Sequence, residues 1–349
     1  MHGVRRQRRA PPTEPEEVAE AKRAQERRRI HEYTTLCESM YERRNTSDFS
    51  SDAFDLTTQI LTLNPEFQTA WAFRRRILQF NLATDADAEA RQHRLETDLQ
   101  LTNVALLRNP KNYSVWEHRK WVLNAMPAAD WGAELALVDM YLQKDGRNFH
   151  TWDYRRYLLG TLLTEQGAAQ ENTRSDGKPR PTPTPKSELA FTTRKISENF
   201  SNFSAWHYRT KLLTRMWEGD ESSATPVTTL DEEFEFVRQA LWSDPNDQSA
   251  WLYHRWLVGR ANEAALRREI EDCAQLRAEE PRCRWILESL VAYKRMLAQK
   301  LEAESGSTSA EADGLKLACI DLLRELEAVD PMRRARYEDL LRQFLPARR

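Results

Sequence analysis

The chain has 349 residues, 40% of them hydrophobic and 30% charged, with a formal net charge of −2. This near-neutral balance argues against a global attraction for nucleic acid, and the ten glycines argue against Gly-rich phosphate loops. No apolar run approaches the roughly 18 residues of a membrane span. The four cysteines form no Cys-x-x-Cys pair, which disfavours a structural zinc site and favours a reducing compartment.

The N-terminal segment is basic and rich in proline. Residues 1–16 contain Arg5, Arg6, Arg8, Arg9, Pro11, Pro12 and Pro15. This composition predicts a flexible basic arm. Because the segment lacks the apolar core of a secretion signal, we predict a cytoplasmic protein. Residues 17–349 are predicted to form a single α-helical repeat domain.

A unit recurs five times after this arm. Each copy has an Asn or Asp, then Pro, Gly or Phe, and a Trp six residues further on. The tryptophans are Trp71, Trp116, Trp152, Trp206 and Trp251. The separations between consecutive tryptophans are 45, 36, 54 and 45 residues (71 to 116, 116 to 152, 152 to 206, 206 to 251). A period of roughly 34–47 residues is typical of helical hairpins of the tetratricopeptide or HEAT kind.

The residues around each Trp predict a helix with one buried face. An apolar residue follows seven positions later, as Leu78, Leu123, Leu159, Leu213 or Val258. Two helical turns separate each pair, so both members face the core between neighbouring hairpins. A serine two residues before the Trp (Ser114, Ser204 and Ser249) is the expected N-cap, and Ser114 with Glu117 fits a capping box.

Two regions depart from the repeat. Residues 166–187 carry four prolines spaced two apart, which predicts an extended, disordered insertion and explains the 54-residue step (152 to 206). After Trp251 the pattern decays, and Tyr337 replaces Trp after Asp330-Pro331. We therefore predict one degenerate and one terminal repeat over residues 264–347, because end repeats lack a neighbour on one face.

No catalytic signature is present in the chain, and the repeat arginines have two interpretations. Four arginines lie one helical turn past their Trp: Arg74, Arg119, Arg155 and Arg209. We predict a ladder of ion pairs and hydrogen bonds between adjacent hairpins, and the alternative is a basic stripe that binds an anion. The histidines project in different directions, so no metal site is predicted in this chain. The residues alone therefore indicate an all-α solenoid, a class whose surfaces bind other proteins.

The repeat core Asn-x-x-x-Trp-x-x-Arg-Arg resembles the signature of the protein prenyltransferase alpha subunits. Its clearest copies are residues 111–119 and 147–156. Four further stretches resemble the type II, or Rab geranylgeranyltransferase, branch of that family: Met1-His2-Gly3 and residues 199–209, 244–260 and 329–333. The resemblance implies a crescent-shaped, right-handed superhelix of antiparallel helical hairpins.

The resemblance also implies a function. In the family, the alpha subunit pairs obligately with a beta subunit that is expected to hold the catalytic zinc and the isoprenoid pocket. The heterodimer transfers geranylgeranyl from geranylgeranyl diphosphate to C-terminal cysteines of Rab GTPases presented by a Rab escort protein. The alternatives are the alpha subunit shared by farnesyltransferase and geranylgeranyltransferase type I, or a non-catalytic tetratricopeptide-like scaffold.

Three residues are expected at the site because they match the family's pattern. Lys111 matches the loop lysine that approaches the lipid diphosphate, where it would stabilise the leaving group as a catalytic residue. Tyr113 and Asn148 match neighbouring substrate-binding positions. His2 could reach the partner's zinc through its imidazole, although nothing in the sequence places the arm.

Overall fold

The described part of the computed structural model is helical almost throughout. It comprises residues 16–85, 87–162, 183–218, 228–305 and 310–344, and no strand occurs within these ranges. The helices are α1 Glu16–Asn45, α2 Ser51–Leu63, α3 Gln68–Thr84, α4 Ala88–Arg108, α5 Tyr113–Ala125, α6 Trp131–Lys144, α7 Phe149–Leu162, α8 Pro185–Glu198, α9 Phe203–Glu218, α10 Leu230–Ser243, α11 Gln248–Val258, α12 Glu263–Glu279, α13 Arg284–Ser305, α14 Ala310–Val329 and α15 Arg334–Arg342, with a 3-10 turn at Pro331–Arg333. The all-α prediction is confirmed.

The chain divides into two compact units. The first comprises Met1–Lys144 with Asn148–Arg180, and the second Asp145–Arg147 with Pro181–Arg349. In the first unit, α1 contacts α2, three hairpins form (α2 with α3, α4 with α5, α6 with α7), and their second helices contact each other in sequence. In the second unit, α8 to α13 form three such hairpins, and α14 and α15 complete the described chain. Each unit is therefore a short stack of helical hairpins.

The repeat tryptophans form the core of both units, as predicted. Trp71, Trp116, Trp152, Trp206 and Trp251 are each at most 2% exposed, and the apolar residues seven positions later are also buried. The indole N–H closes the turn before its own helix by donating to the carbonyl of the residue six positions earlier. This bond measures 2.7 Å between Trp251 Nε1 and the Pro245 oxygen, and Trp71, Trp116 and Trp206 make the same contact. The six-residue spacing in the sequence therefore reflects a hydrogen bond as well as packing.

The predicted serine N-caps are wrong. These helices begin two residues earlier, and an Asn or Asp four residues before the Trp is the cap. Asn112 Oδ1 accepts from the Val115 N–H, Asn202 Oδ1 from the Ala205 N–H, and Asp247 from two N–H groups. The capping box of Ser114 with Glu117 does not form, because Asn112 rather than Ser114 caps this helix.

The predicted ladder of arginine ion pairs is confirmed. Arg74, Arg119 and Arg209 are at most 5% exposed, and their partners are Asp98, Glu134 and Glu233 on the first helix of the next hairpin. Each carboxylate also contacts a side chain of that hairpin's second helix: His118, Tyr154 or Tyr253. The fourth arginine, Arg155, is also buried and donates to Asp139. Because these guanidinium groups are buried and paired, they do not form the alternative anion-binding stripe.

The ends and the insertion fall largely outside the described residues. The predicted basic arm lies outside them except for residue 16, as do residues 166–182 of the predicted insertion. The last part of that insertion is ordered, because Pro185 begins α8 and Thr184 caps it in a capping box with Ser187. At the other end, Tyr337 is buried, and its hydroxyl lies 2.9 Å from Asp330 Oδ2. No helix in the described ranges is long and apolar enough to cross a membrane.

Candidate functional site

The three residues expected at the site lie together where α5 and α7 begin. The ring of Tyr113, the first residue of α5, has its centroid 4.1 Å from that of His150 and 6.0 Å from that of Phe149. Asn148, just before α7, donates from Nδ2 to the Pro110 carbonyl at 3.1 Å. The turn that carries Lys111 is thus in direct contact with the N-terminus of α7.

Lys111 is exposed, and the turn that carries it is well ordered. Its backbone N–H donates to Asn109 Oδ1 at 3.0 Å, which closes a short Asx-type turn after α4. The positive charge of Lys111 contributes to lowering the pKa of the His150 imidazole. Lys111 is therefore close enough to His150 for its charge to act on the imidazole.

His150 is the residue that sequence reasoning missed. It is 6% exposed, and its ring packs against the rings of Tyr113 and Phe149. Burial lowers the pKa of the imidazole. The negative charge of Asp153 raises this pKa, and the positive charge of Lys111 lowers it. The lowered pKa favours the neutral imidazole near pH 7, which has one N–H donor and one lone pair.

A signal for His150 was present in the sequence. The position two residues before the Trp is Ser114, Ser204 or Ser249 in three other repeats, and only the third repeat has an imidazole there. The expectation that the repeat histidines share no metal site does not separate His150 from the other histidines, two of which are structural. His118 and His254 are buried and contact Asp98 and Glu269 respectively. What distinguishes His150 is its contact with the exposed rings of Tyr113 and Phe149, which a sequence does not show.

Tyr113 and Phe149 form an aromatic surface beside the lysine. Tyr113 is 63% exposed and Phe149 is 54% exposed, which is high for aromatic side chains. The Phe149 ring also lies against the His150 ring, with centroids 3.9 Å apart. An apolar wall next to an ammonium group suits a ligand that has both an anionic and an apolar part.

Asn148 has a different environment from the other expected residues. It is 2% exposed, and both ends of its amide are used within the chain: Nδ2 by the Pro110 carbonyl and Oδ1 by the His150 backbone N–H, each at 3.1 Å. The structure thus places Asn148 beneath the exposed surface that Lys111 and Tyr113 form.

The cluster can bind an anion without a metal ligand of its own. A lysine ammonium, a neutral imidazole N–H and a phenol hydroxyl are the donors that stabilise charge on a phosphate oxygen. Within the described ranges, no three His, Cys, Asp or Glu side chains are grouped so as to hold a metal ion.

The repeat is that of a known family. The protein prenyltransferase alpha subunit repeat matches at residues 50–81, 95–126, 131–162, 185–216 and 230–261. These five segments contain the five tryptophans and the hairpins described above.

Whole-chain relatives point to one branch of that family. The geranylgeranyl transferase type-2 subunit alpha of Schizosaccharomyces pombe is 33% identical, with 97% of each chain covered. The protein of the same name from Rattus norvegicus is 37% identical over 70% of this chain. The present chain spans about 40% of the length of that mammalian relative.

A solved structure has the same fold. The Candida albicans protein geranylgeranyltransferase-I complexed with GGPP contains a chain that matches with a TM-score of 0.62 at 20% identity, covering 90% of this chain and 91% of that one. At this identity the match concerns the fold alone. The repeats, the full-length relative and the fold agree with the resemblance seen in the sequence, and the chain belongs to the family of geranylgeranyl transferase type-2 alpha subunits.

Proposed function

We propose that the chain is the alpha subunit of a heterodimeric Rab geranylgeranyltransferase. The enzyme would transfer geranylgeranyl from geranylgeranyl diphosphate to C-terminal cysteines of Rab GTPases presented by a Rab escort protein. The names of the relatives support this proposal, in particular that of the relative matched over its full length. The observation within the chain that carries it is the exposed Lys111 in a turn that Asn148 ties to the start of α7, where the ring centroids of Tyr113 and His150 lie 4.1 Å apart.

In the proposed reaction, Lys111 stabilises the diphosphate as it leaves. When the bond between the isoprenoid carbon and the diphosphate oxygen breaks, negative charge accumulates on that oxygen. A fixed cation and a neutral N–H donor lower the energy of this state more than that of the bound diphosphate. Lys111 would supply the cation and His150 the N–H, while Tyr113 would bind substrate at the edge of the aromatic surface.

The proposal assigns the remaining chemistry to the partner. The catalytic zinc and the isoprenoid pocket are expected in the beta subunit, and this chain is expected to bind no cofactor of its own. The beta subunit, the escort protein and the Rab are proposed partners, and nucleic acid is not among them. We also propose that the complex acts in the cytoplasm.

Co-expression with a candidate beta subunit tests the function. We expect a stable heterodimer that geranylgeranylates a Rab when the escort protein is added. Transfer to short Cys-terminal peptides without the escort protein would instead favour the farnesyltransferase and type I alternative. A stable monomer that binds peptides, needs no beta subunit and supports no transfer would favour the scaffold alternative.

A further inference from the structure

We propose that Asn148 is a positioning residue that clamps the Lys111 turn to the N-terminus of α7, and thereby holds Lys111 beside His150. This inference rests on the proposed function of the Lys111 site. In this proposal Asn148 does not touch the substrate itself. It supports Lys111 and His150, which do.

The two ends of the Asn148 amide join the two halves of the site. Nδ2 donates to the carbonyl of Pro110, the residue directly before Lys111, and Oδ1 accepts the backbone N–H of His150. The Pro110 carbonyl also accepts the Trp116 indole N–H at 2.9 Å, so it is fixed from two sides. Because Asn148 is 2% exposed and uses both ends of its amide internally, its effect on a substrate must pass through Lys111 and His150.

Other repeats show that this clamp is a general device of the stack. Asn202, at the same position, donates to the Gly146 carbonyl at 2.7 Å and caps its own helix. Cys283 makes the equivalent contact through its thiol, which donates to the Pro245 carbonyl at 3.0 Å. A thiol can therefore replace the amide, which provides a conservative substitution for a test.

Toward the preceding hairpin, the Lys111 turn lacks the buried clamp that Asn148 provides on the other side. Asn112 occupies the clamp position toward the preceding repeat, but its Nδ2 is buried and has no partner within the described residues. Two exposed hydrogen bonds lie on that side, from Arg108 to the Thr62 carbonyl at 2.7 Å and from Asn109 to Glu66 at 2.9 Å. Loss of the Asn148 clamp should therefore let the Lys111 turn move relative to His150.

The test compares Asn148→Ala with Asn202→Ala in the full chain co-purified with its beta subunit. Both variants lose a cap and a clamp, but only the first lies at the site. We expect Asn148→Ala to lower the transfer rate by about 10- to 100-fold, as misplacement of a catalytic group by about 1 Å does. In a Lys111→Ala background, Asn148→Ala should cause less than about a twofold further loss, because coupled residues are not additive.

A second measurement does not depend on transfer. Nuclear magnetic resonance of ¹³Cε1-labelled histidine follows the titration of His150, assigned with a His150→Gln variant. We expect the pKa of His150 to rise in Asn148→Ala, because the positive charge of Lys111 is no longer held beside it. The pKa should be unchanged in Asn202→Ala, and Asn148→Cys should restore both the titration and the transfer rate. If Asn148→Ala does not fold, Asn148→Ser, which keeps a cap acceptor, takes its place.

Equal transfer rates and His150 titrations in Asn148→Ala and Asn202→Ala would overturn the clamp. A shifted His150 titration together with full activity of Lys111→Ala would support the clamp and overturn the proposed role of Lys111. The two failures are thus distinguishable.

Discussion

Replacement of Arg209 by Met should destabilise the second unit strongly, because it removes one half of a buried ion pair. Arg209 is 5% exposed and Glu233 is 1% exposed. The guanidinium donates to both carboxylate oxygens, from Nε at 2.7 Å and from Nη2 at 2.6 Å. Its Nη1 donates to the hydroxyls of Thr192 and Thr193 on α8. One side chain therefore links two hairpins.

The size of the expected stability loss follows from the groups that remain around the Glu233 carboxylate. Without Arg209, Glu233 keeps hydroxyl donors from Tyr253 at 2.6 Å and from Thr228 at 3.1 Å, but no cation. An uncompensated buried charge of this kind costs about 3–5 kcal/mol in the free energy of unfolding.

Urea unfolding monitored by circular dichroism measures the loss, with Arg268→Met as the control. Arg268 pairs with Asp231 at 2.5 Å, but the two side chains are 57% and 73% exposed. An exposed pair contributes at most about 1 kcal/mol. The double variant Arg209→Met with Glu233→Leu should be more stable than Arg209→Met alone, because no buried charge remains. A loss below about 1 kcal/mol for Arg209→Met would refute this reasoning about burial.

Three further predictions concern stability and pH. Burial lowers the pKa of His118, so below about pH 6.5 the unfolded chain binds a proton that the folded chain does not. The free energy of unfolding should therefore fall as pH drops below this value, and His118→Asn should lose that part of the slope in urea unfolding at several pH values. Trp251→Phe removes the indole donor and leaves the Pro245 carbonyl with the weaker thiol donor of Cys283, so it should cost about 1 kcal/mol by the same assay. Thr229→Ala removes a capping box and should cost about 1 kcal/mol, visible as a lower thermal midpoint.

The repeat could be predicted because its determinants are local. The Trp, the turn residue six positions earlier and the apolar residue seven positions later all lie on one helix or its preceding turn. Their spacing is therefore fixed by helix geometry. The same holds for Arg74 and Arg119, whose position one turn past the Trp indicated a buried, paired role.

The partners of those arginines could not be predicted, because they lie on another helix. Arg74 and Asp98 are 24 residues apart, whereas Arg119 and Glu134 are 15 apart. The difference reflects how far along its helix each carboxylate lies, because Asp98 is the eleventh residue of α4 and Glu134 the fourth of α6, and the repeat pattern does not fix this. The family resemblance provided Lys111, whereas His150 required the contacts between α5 and α7.

The central claim is that Lys111 acts on the diphosphate when the chain is paired with its beta subunit. Single-turnover transfer of geranylgeranyl to a Rab by the heterodimer, with saturating geranylgeranyl diphosphate, tests it most directly. Loss of one preorganised donor to a developing charge typically costs about 100-fold, so Lys111→Ala should lower the rate by about that factor. Lys144→Ala, which removes an exposed lysine at the end of α6, should leave it unchanged. A Lys111→Ala rate equal to that of Lys144→Ala would contradict the account.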